Sequence, residues 1–181
     1  MSITKQKQQT SYLALAETFG YTSPMQTPRI QKVVVSSGVG KKRDKKQLEV
    51  IEDRLAKITG QKPSARPARI SIASFKVREG DTVGLQITMR GARMYDFLDK
   101  LIHIALPRTR DFRGLSAKAI DDMGNITIGI KEHTIFPETS DEDLKDVFGF
   151  AVTIVTTAKS KVEAEAYLRH LGMPLIVEVK K

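Results

Sequence analysis

The turn that contains Gly38, Gly40 and Lys42 has the residue types of a phosphate-binding loop. Two glycines and a run of basic residues stand between a predicted strand and a predicted helix, where such loops lie. A Walker loop needs a further glycine upstream and a hydroxyl residue for magnesium, but Lys42 occupies the hydroxyl position. The dinucleotide pattern lacks its third glycine, because Arg43 stands there. A basic turn that approaches RNA phosphates is the favoured interpretation, and a nucleotide-binding enzyme is the alternative.

The other candidates for catalysis or metal binding are scattered along the chain. His103, His133 and His170 each lack a second ligand at the spacing of a metal site. The acidic pair Asp121 and Asp122 precedes Gly and Asn, a combination typical of turns. No nucleophile, base and orienting group can be combined into a catalytic set. We therefore expect no enzyme, no metal site and no cofactor.

Positive charge is concentrated in the first half of the chain. The sequence has 30 Lys and Arg against 21 Asp and Glu, a net charge of +9, and residues 1–90 alone carry a net +10. The basic residues cluster beside Gly, Pro and Ser at 41–46 and 61–78, where loops are expected. Such a polarised surface attracts polyanions. The distribution predicts a nucleic-acid partner, and a protein scaffold that meets an acidic partner is a third alternative.

Length and composition predict one globular domain over residues 1–181. Hydrophobic residues make up 40% of the 181 residues, and a chain of this size buries a sizeable core. The absence of Cys excludes a disulfide framework and thiol chemistry. The N-terminus has no apolar leader and no long apolar run follows, so we expect a soluble, cytoplasmic protein with no membrane partner.

Four helices are predicted from apolar spacing and end signals. The first covers 5–19, with Leu13, Ala16 and Phe19 as its apolar face and Gly20 as its end. The second begins at a cap formed by Asp44 and Gln47 and ends at Gly60. The third covers 94–105 and is stopped by Pro107, and the fourth covers 162–171 after a capping box at Ser160 and Glu163.

Strands are predicted at 30–37, 83–90, 125–131 and 150–157 from β-branched residues and alternation. A long hairpin loop is expected at 61–81, where Pro63 and Pro67 interrupt pairing, and a second long loop at 107–124. The acidic segment 138–146 is expected to form a turn or a short helix. Two strand pairs leave no room for a crossover helix. The predicted class is α+β, a largely antiparallel sheet flanked by helices in a single compact domain with long functional loops.

Seven short segments, spread over nearly the whole chain, carry a specific pattern. They are 25–30 (MQTPRI), 38–40 (GVG), 60–63 (GQKP), 88–91 (TMRG), 106–116 (LPRTRDFRGLS), 135–138 (IFPE) and 156–158 (TTA). Together they resemble ribosomal large-subunit protein number five of the bacterial type. The resemblance implies an α+β protein of the large ribosomal subunit that binds 5S rRNA in the central protuberance among neighbouring large-subunit components. It also implies contact with the elbow of P-site tRNA and a bridge to a ribosomal protein of the small-subunit head.

The resemblance assigns a first set of residues to 5S rRNA. Four positions match the family's rRNA contacts, and two neighbouring basic residues are added to them: Lys32, Ser36, Gln61 and Thr88, with Lys62 and Arg90. Lys32 would bind phosphate, and the polar side chains would bind ribose, phosphate or base edges. Position 36 is usually Asn in the family, and the shorter hydroxyl of Ser36 makes fewer hydrogen bonds.

Two further sets follow from the resemblance. The tRNA contact would use the loop 66–78, through Arg66, Arg69, Ser71, Lys76 and Arg78. In this loop Ile70 replaces a basic residue and Ser74 replaces Gly, and Phe75 is expected to be a packing anchor rather than a stacking platform. The intersubunit bridge would use the loop 107–118 and the acidic segment 138–146, through Arg108, Arg110 and Arg113.

Overall fold

The computed structural model describes residues 2–40, 45–110, 112–139 and 147–176. Two of the expectations above concern other residues. The predicted cap at Asp44 lies outside the described residues, and so does most of the acidic segment 138–146.

A five-stranded sheet organises the described residues. Its strands are β1 (Ile30–Gly38), β2 (Ser64–Pro67), β3 (Thr82–Met89), β4 (Ile126–Ile130) and β5 (Phe150–Thr156). Their order across the sheet is β2-β3-β1-β5-β4, so β2 and β4 are the edge strands. β2 pairs with β3 in antiparallel orientation. The sheet and its helices confirm the predicted α+β class.

Four helices accompany the sheet. They are α1 (Ile3–Phe19), α2 (Lys45–Thr59), α3 (Gly91–Lys100) and α4 (Lys161–Leu171). α1 ends at Gly20 in the left-handed conformation, with φ 68°, as predicted. α4 begins with the predicted cap, because the Ser160 hydroxyl accepts the backbone N–H of Glu163 at 3.3 Å.

Alternation along the neighbouring strands β1 and β3 gives each of them one buried and one open side. On β1, Val33 and Val35 are buried, whereas Ser36 is exposed. On β3, Leu85 and Ile87 are buried, and the residues between them are half-buried. Because successive side chains of a strand point to opposite faces, the open sides carry every second residue.

The described residues divide into two compact units. The first comprises the chain up to Val33, Arg90–Ile128 and the chain from Thr153, and in it α1 packs on α3 and α4. The second comprises Val34–Met89 and Gly129–Val152, and in it β3 contacts β2 and α2. Three of the four boundaries fall inside β1, β4 and β5, and the fourth lies at the end of β3. The single domain over 1–181 stays a prediction.

The predicted loop at 61–81 contains a strand. Ser64–Pro67 forms β2, with Ser64 opposite Gln86 and Arg66 opposite Gly84, and the register shifts before Pro67. The two prolines bound this strand, so the expectation that they interrupt pairing was wrong for the residues between them. An edge strand tolerates Pro where its missing N–H has no neighbouring strand to meet. The second predicted loop also contains structure, a 3₁₀ turn at Ala117–Ala119.

The buried face of α1 differs from the predicted one. Thr4, Ser11 and Leu15 are buried, whereas Leu13 is 80% exposed. The polar residues can be buried because they are hydrogen-bonded: the Ser11 hydroxyl donates to the Gln8 carbonyl at 2.7 Å. Apolar spacing alone was therefore wrong for Leu13, whereas the predicted Ala16 and Phe19 are half-buried.

The helix that begins with α3 passes through Pro107 instead of stopping there. A π-helical turn at Leu101–Ala105 and a last turn at Leu106–Arg108 continue it. In the π-turn, the backbone N–H of Leu106 bonds to the carbonyl of Leu101, five residues back. Pro107 then lies in the first turn of the last segment, where a missing N–H is tolerated.

Candidate nucleic-acid interface

The open side of β1 carries the first two predicted contacts. Ser36 is exposed near the end of the strand, and Lys32 is half-buried four residues earlier. An interval of four residues on a strand keeps both side chains on the same side. The fold therefore presents Lys32 and Ser36 as β1 residues that an external ligand can reach.

β3 and β2 extend this side with more polar residues. Thr88 and Gln86 are half-buried on the open side of β3. Ser64 lies opposite Gln86 and Arg66 opposite Gly84, so their side chains share that side, because directly opposite residues point the same way. We name six polar residues on the open sides of these three strands the open face: Lys32, Ser36, Ser64, Arg66, Gln86 and Thr88.

Gly84 has little room for a side chain. A Cβ at this position would lie 3.3 Å from the Ser37 carbonyl oxygen and 4.0 Å from the Arg66 Cβ. A glycine here therefore allows the close approach of the neighbouring backbone at Ser37.

The open face is free of negative charge. None of the five strands that the structure describes contains Asp or Glu. The polar side chains are hydroxyls, an amide and two cations, which donate hydrogen bonds or positive charge to an anionic ligand. This surface matches a polyanion better than a cationic partner.

Gln61 and Thr88 are joined by a hydrogen bond. The Gln61 side-chain amide donates to the Thr88 carbonyl oxygen at 3.5 Å, a long hydrogen bond. The Gln61 backbone is held by the Thr59 hydroxyl, which donates to the Gln61 carbonyl oxygen at 3.1 Å and to that of Leu55 at 2.7 Å. The end of α2 therefore positions the Gln61 amide at the end of β3.

The two basic residues added to this set differ in their surroundings. Lys62 forms an ion pair with Glu52 at 3.3 Å, and its side chain is 84% exposed. Exposed pairs of this kind contribute little, about 0–1 kcal/mol, so a phosphate can replace Glu52 as the partner. Arg90 is exposed between β3 and α3. Both side chains are accessible to a ligand.

Residues 68–81 form a small hairpin that holds most of the predicted tRNA contacts. Backbone bonds close its base, with Ala68 N–H donating to the Asp81 carbonyl at 2.8 Å. Nearer its end, Ile72 and Val77 exchange two backbone bonds of 2.9 and 3.2 Å. The Asp81 carboxylate accepts the Arg78 N–H at 2.9 Å. The segment is therefore a hairpin, as predicted.

The hairpin presents its cations outward. Arg69, Lys76 and Arg78 are exposed, and Arg66 precedes them on β2. Ser71 is also exposed, but its hydroxyl accepts the Glu79 N–H at 2.9 Å and so helps to shape the hairpin. Phe75 is 71% exposed, so the expectation of a packing anchor was wrong.

The three predicted bridge residues lie together in the chain but not in one element. Arg108 ends the last helical turn, and Arg110 and Arg113 follow in irregular structure. All three are exposed. The segment after them is anchored to residues 174–176. The Leu115 N–H donates to the Pro174 carbonyl at 2.8 Å, and the Ile176 N–H donates to the Leu115 carbonyl at 2.8 Å.

The glycine turn is only partly described, because residues 41–44 lie outside the described residues. Within its described part, the Val39 N–H donates to the Val83 carbonyl at 3.0 Å and is therefore occupied by the sheet. A Cβ at Gly38 or Gly40 would meet nothing within 4 Å. The turn leaves space around its backbone, but the amide between its two glycines is not available to a phosphate.

His133 is a buried residue of the second unit and contacts Phe148 and Arg54. It is buried, its ring stacks on Phe148 with centroids 4.4 Å apart, and its Nε2 lies 3.3 Å from an Arg54 nitrogen. In the described parts of the chain, no group of three or more His, Asp or Glu side chains could hold a metal ion. None of the described helices is long and apolar enough to cross a membrane.

Sequence reasoning missed Ser64 and Gln86 on the open face. Gln86 could have been found from the alternation of β3, because it shares the side of Thr88. Ser64 could not, because its place depends on the pairing of β2 with a strand some twenty residues away in the chain.

Two family models match the chain. A model for the C-terminus of the ribosomal protein L5 family matches residues 82–175, and a model described as Ribosomal protein L5 matches residues 23–78. Curated relatives named "Large ribosomal subunit protein uL5" are similar over most of the chain. The relative from Rubrobacter xylanophilus is 51% identical over 162 residues, which is 89% of this chain and 90% of the relative.

Two further relatives carry the same name. The one from Anaeromyxobacter sp. (strain K) is 48% identical over 161 residues, 88% of this chain and 89% of the relative. The one from Heliobacterium modesticaldum is 47% identical over 180 residues, 98% of this chain and 100% of the relative.

Proposed function

Because the chain belongs to the ribosomal protein L5 family and is a structural, RNA-binding constituent of the large ribosomal subunit, we propose that its open face binds 5S rRNA. In this proposal Lys32 binds a phosphate, and Ser36, Gln86 and Thr88 bind ribose, phosphate or base edges. The complex helps to anchor 5S rRNA in the central protuberance, among neighbouring large-subunit components.

The observation that supports this proposal best is the acid-free, polar side of three adjacent strands. A flat surface of hydroxyl, amide and cationic groups can follow the sugar-phosphate backbone of a folded RNA. Aromatic residues are few, 6% of the chain, so stacking on unpaired bases contributes less on this face. Recognition on the open face therefore depends mainly on phosphate and ribose contacts and on RNA shape.

Gln61, Lys62 and Arg90 extend the proposed interface around the end of β3. The Gln61 amide already lies at the Thr88 carbonyl, so a 2′-hydroxyl or base edge that approaches Thr88 also reaches Gln61. Lys62 and Arg90 supply exposed positive charge to flanking phosphates.

A titration of 5S rRNA with the whole chain tests the open face. Thr88→Val removes the hydroxyl and keeps the shape, so 5S affinity should fall by about fivefold, the equivalent of one hydrogen bond of roughly 1 kcal/mol. Thr18→Val is the matched control, because Thr18 is an exposed hydroxyl on α1. Equal affinities of the Thr88 variant and the original chain would remove Thr88 from the interface.

The hairpin 68–81, with Arg66 beside it, is proposed to contact the elbow of P-site tRNA. Its support is the exposure of Arg66, Arg69, Lys76 and Arg78 on an ordered hairpin. Replacing 69–80 by a short turn should spare 5S binding and lower the affinity of ribosomes for P-site tRNA. Unchanged tRNA affinity in such ribosomes would contradict this assignment.

Arg108, Arg110 and Arg113 are proposed to contribute to an intersubunit bridge with a protein of the small-subunit head. Their support is exposure on a segment that the Leu115 backbone bonds anchor. Replacing all three by Ala should weaken subunit association, measured by light scattering, whereas Arg93→Ala on the exposed side of α3 should not. Normal association of the triple variant would exclude these arginines from the bridge.

A further inference from the structure

The end of the hairpin is apolar as well as cationic. Ile70 and Phe75 are each 71% exposed, and Ile72 is 44% exposed. We name residues 70–76 the hairpin tip. Phosphate binding requires only cations and hydrogen-bond donors, so it does not account for large apolar side chains held in water at the tip.

Lys76 gives a second, independent sign that the tip is adapted to a ligand. Among the described residues it is the one non-glycine residue with positive φ, at 52°. A side chain in this left-handed conformation costs about 1–2 kcal/mol, which Gly would avoid. Such strained positions cluster at binding sites. The residue held in this conformation is a cation, and it directly follows the exposed Phe75 in the chain.

Phe75 also lies on the wall of a cavity of about 1040 Å³ in the second unit. Other apolar residues on this wall include Ile51, Val83 and Phe148. The ring thus has an apolar environment on one side and is largely open to solvent on the other. A ring supported in this way can present a face to a flat partner.

We propose that Phe75 stacks on an exposed nucleobase face of the tRNA elbow while Lys76 binds the adjacent phosphate. This inference rests on the proposed tRNA contact. An aromatic ring stacks on any base, because every base has a π-face. The tip then contributes an apolar, salt-insensitive part of the contact, in addition to the salt-sensitive part supplied by the hairpin cations.

Charge favours RNA over a protein as the occupant of the tip. Arg69, Lys76 and Arg78 surround the apolar residues and are exposed. The hairpin has two carboxylates, Asp81 and Glu79, and Asp81 already accepts a backbone N–H of the hairpin. An apolar centre within a cationic rim matches a base with its flanking phosphates.

Ribosomes that carry variants of this chain test the stacking. Phe75→Leu keeps an apolar side chain and removes the ring, and Phe75→Tyr keeps the ring. We expect Phe75→Leu to weaken binding of deacylated tRNA to the P site by about five- to tenfold, the lower end of measured base stacking. Phe75→Tyr should bind like the original, and the salt dependence of Phe75→Leu should be unchanged.

A third variant separates this inference from the proposed function. Replacing Arg69 and Arg78 by Ala should weaken tRNA binding and reduce its salt dependence, as loss of phosphate contacts does. If this variant loses affinity but Phe75→Leu does not, the stacking is overturned and the tRNA contact stands. If neither variant loses affinity, the tRNA contact itself is overturned.

Two other outcomes would overturn the stacking alone. Equal losses in Phe75→Leu and Phe75→Tyr would mean that the ring face is not what is recognised. Unchanged tRNA affinity with weakened subunit association in Phe75→Leu would identify a protein as the partner. Thermal unfolding and 5S binding of each purified variant serve as controls for folding.

Discussion

Asp99 holds the N-terminus of α1 through Thr4. The Asp99 Oδ1 accepts the Thr4 backbone N–H at 2.8 Å and also the Thr4 hydroxyl, and Oδ2 accepts the Ile3 N–H at 2.9 Å. The first N–H groups of a helix lack partners within it, and a carboxylate there also matches the helix dipole. Asp99, a residue of α3, thus caps α1 and joins these two helices of the first unit.

Replacing Asp99 by Asn should destabilise the protein by about 1–2 kcal/mol at pH 7, the range measured for lost helix caps. Urea unfolding of the two proteins measures the difference. Asp96→Asn is the matched control, because Asp96 is an exposed carboxylate of the same helix, α3. Comparable stability of the Asp99 variant and the original would show that the cap contributes little.

The stabilisation by Asp99 should depend on pH. Burial raises the pKa of the Asp99 carboxyl, but hydrogen bonds from Ser2, Thr4 and Ile3 outweigh it and hold the pKa below its usual value. A carboxyl with a lowered pKa in the folded state stabilises above its unfolded pKa of about 3.9, and this contribution is lost as pH falls through the folded pKa. The difference in the free energy of unfolding between the original protein and Asp99→Asn should therefore be largest at neutral pH. It should shrink below about pH 4. A constant difference down to pH 2 would contradict this cause.

Changing Ser36 to the family residue should strengthen 5S binding. An amide reaches further than a hydroxyl and adds donors and an acceptor. One added hydrogen bond of about 1 kcal/mol corresponds to roughly fivefold tighter binding of Ser36→Asn. Filter binding at constant salt measures the change, and Ser36→Ala should move the affinity in the other direction. If both variants bind like the original, Ser36 does not face the RNA.

Lys32→Ala should lower 5S affinity and flatten its salt dependence. Each phosphate contact contributes about 0.9 to the slope of log affinity against log salt for duplex RNA and about 0.7 for single strands. Lys5→Ala on the exposed side of α1 removes the same charge elsewhere and is the control. Parallel slopes for Lys32→Ala and the original chain would mean that Lys32 binds no phosphate.

Gly149 and Gly129 should respond differently to a methyl group. A Cβ at Gly149 would lie 2.9 Å from the Ile130 carbonyl oxygen and 3.1 Å from that of Lys131, whereas a Cβ at Gly129 would meet nothing within 4 Å. Gly149→Ala should therefore destabilise by about 1–3 kcal/mol, the cost of overpacking, and Gly129→Ala should change stability little. Thermal unfolding of the pair checks this, and equal stabilities would show that the backbone at 130–131 moves aside freely.

The features that local sequence specifies were predictable. Gly20 ends α1 because Gly adopts the left-handed conformation without strain, and Ser160 begins α4 because its hydroxyl reaches an N–H three residues on. The β-branched residues around Val33 form a strand because their side chains suit an extended backbone. Each of these features depends only on residues a few positions away in the chain. The family pattern separately predicts the role of the chain in the large ribosomal subunit.

The tertiary structure alone decided which surfaces these elements present. β2 exists because β3 pairs with it, and the burial of Ser11 and Thr4 on α1 depends on bonds that satisfy their hydroxyls. The exposure of Phe75 likewise reflects the path of a hairpin closed by its own backbone bonds. Partners that lie far apart in the chain, or that satisfy a polar group on burial, leave no local pattern. The sequence by itself therefore determined the elements and the class of ligand, and packing determined which side chains face that ligand.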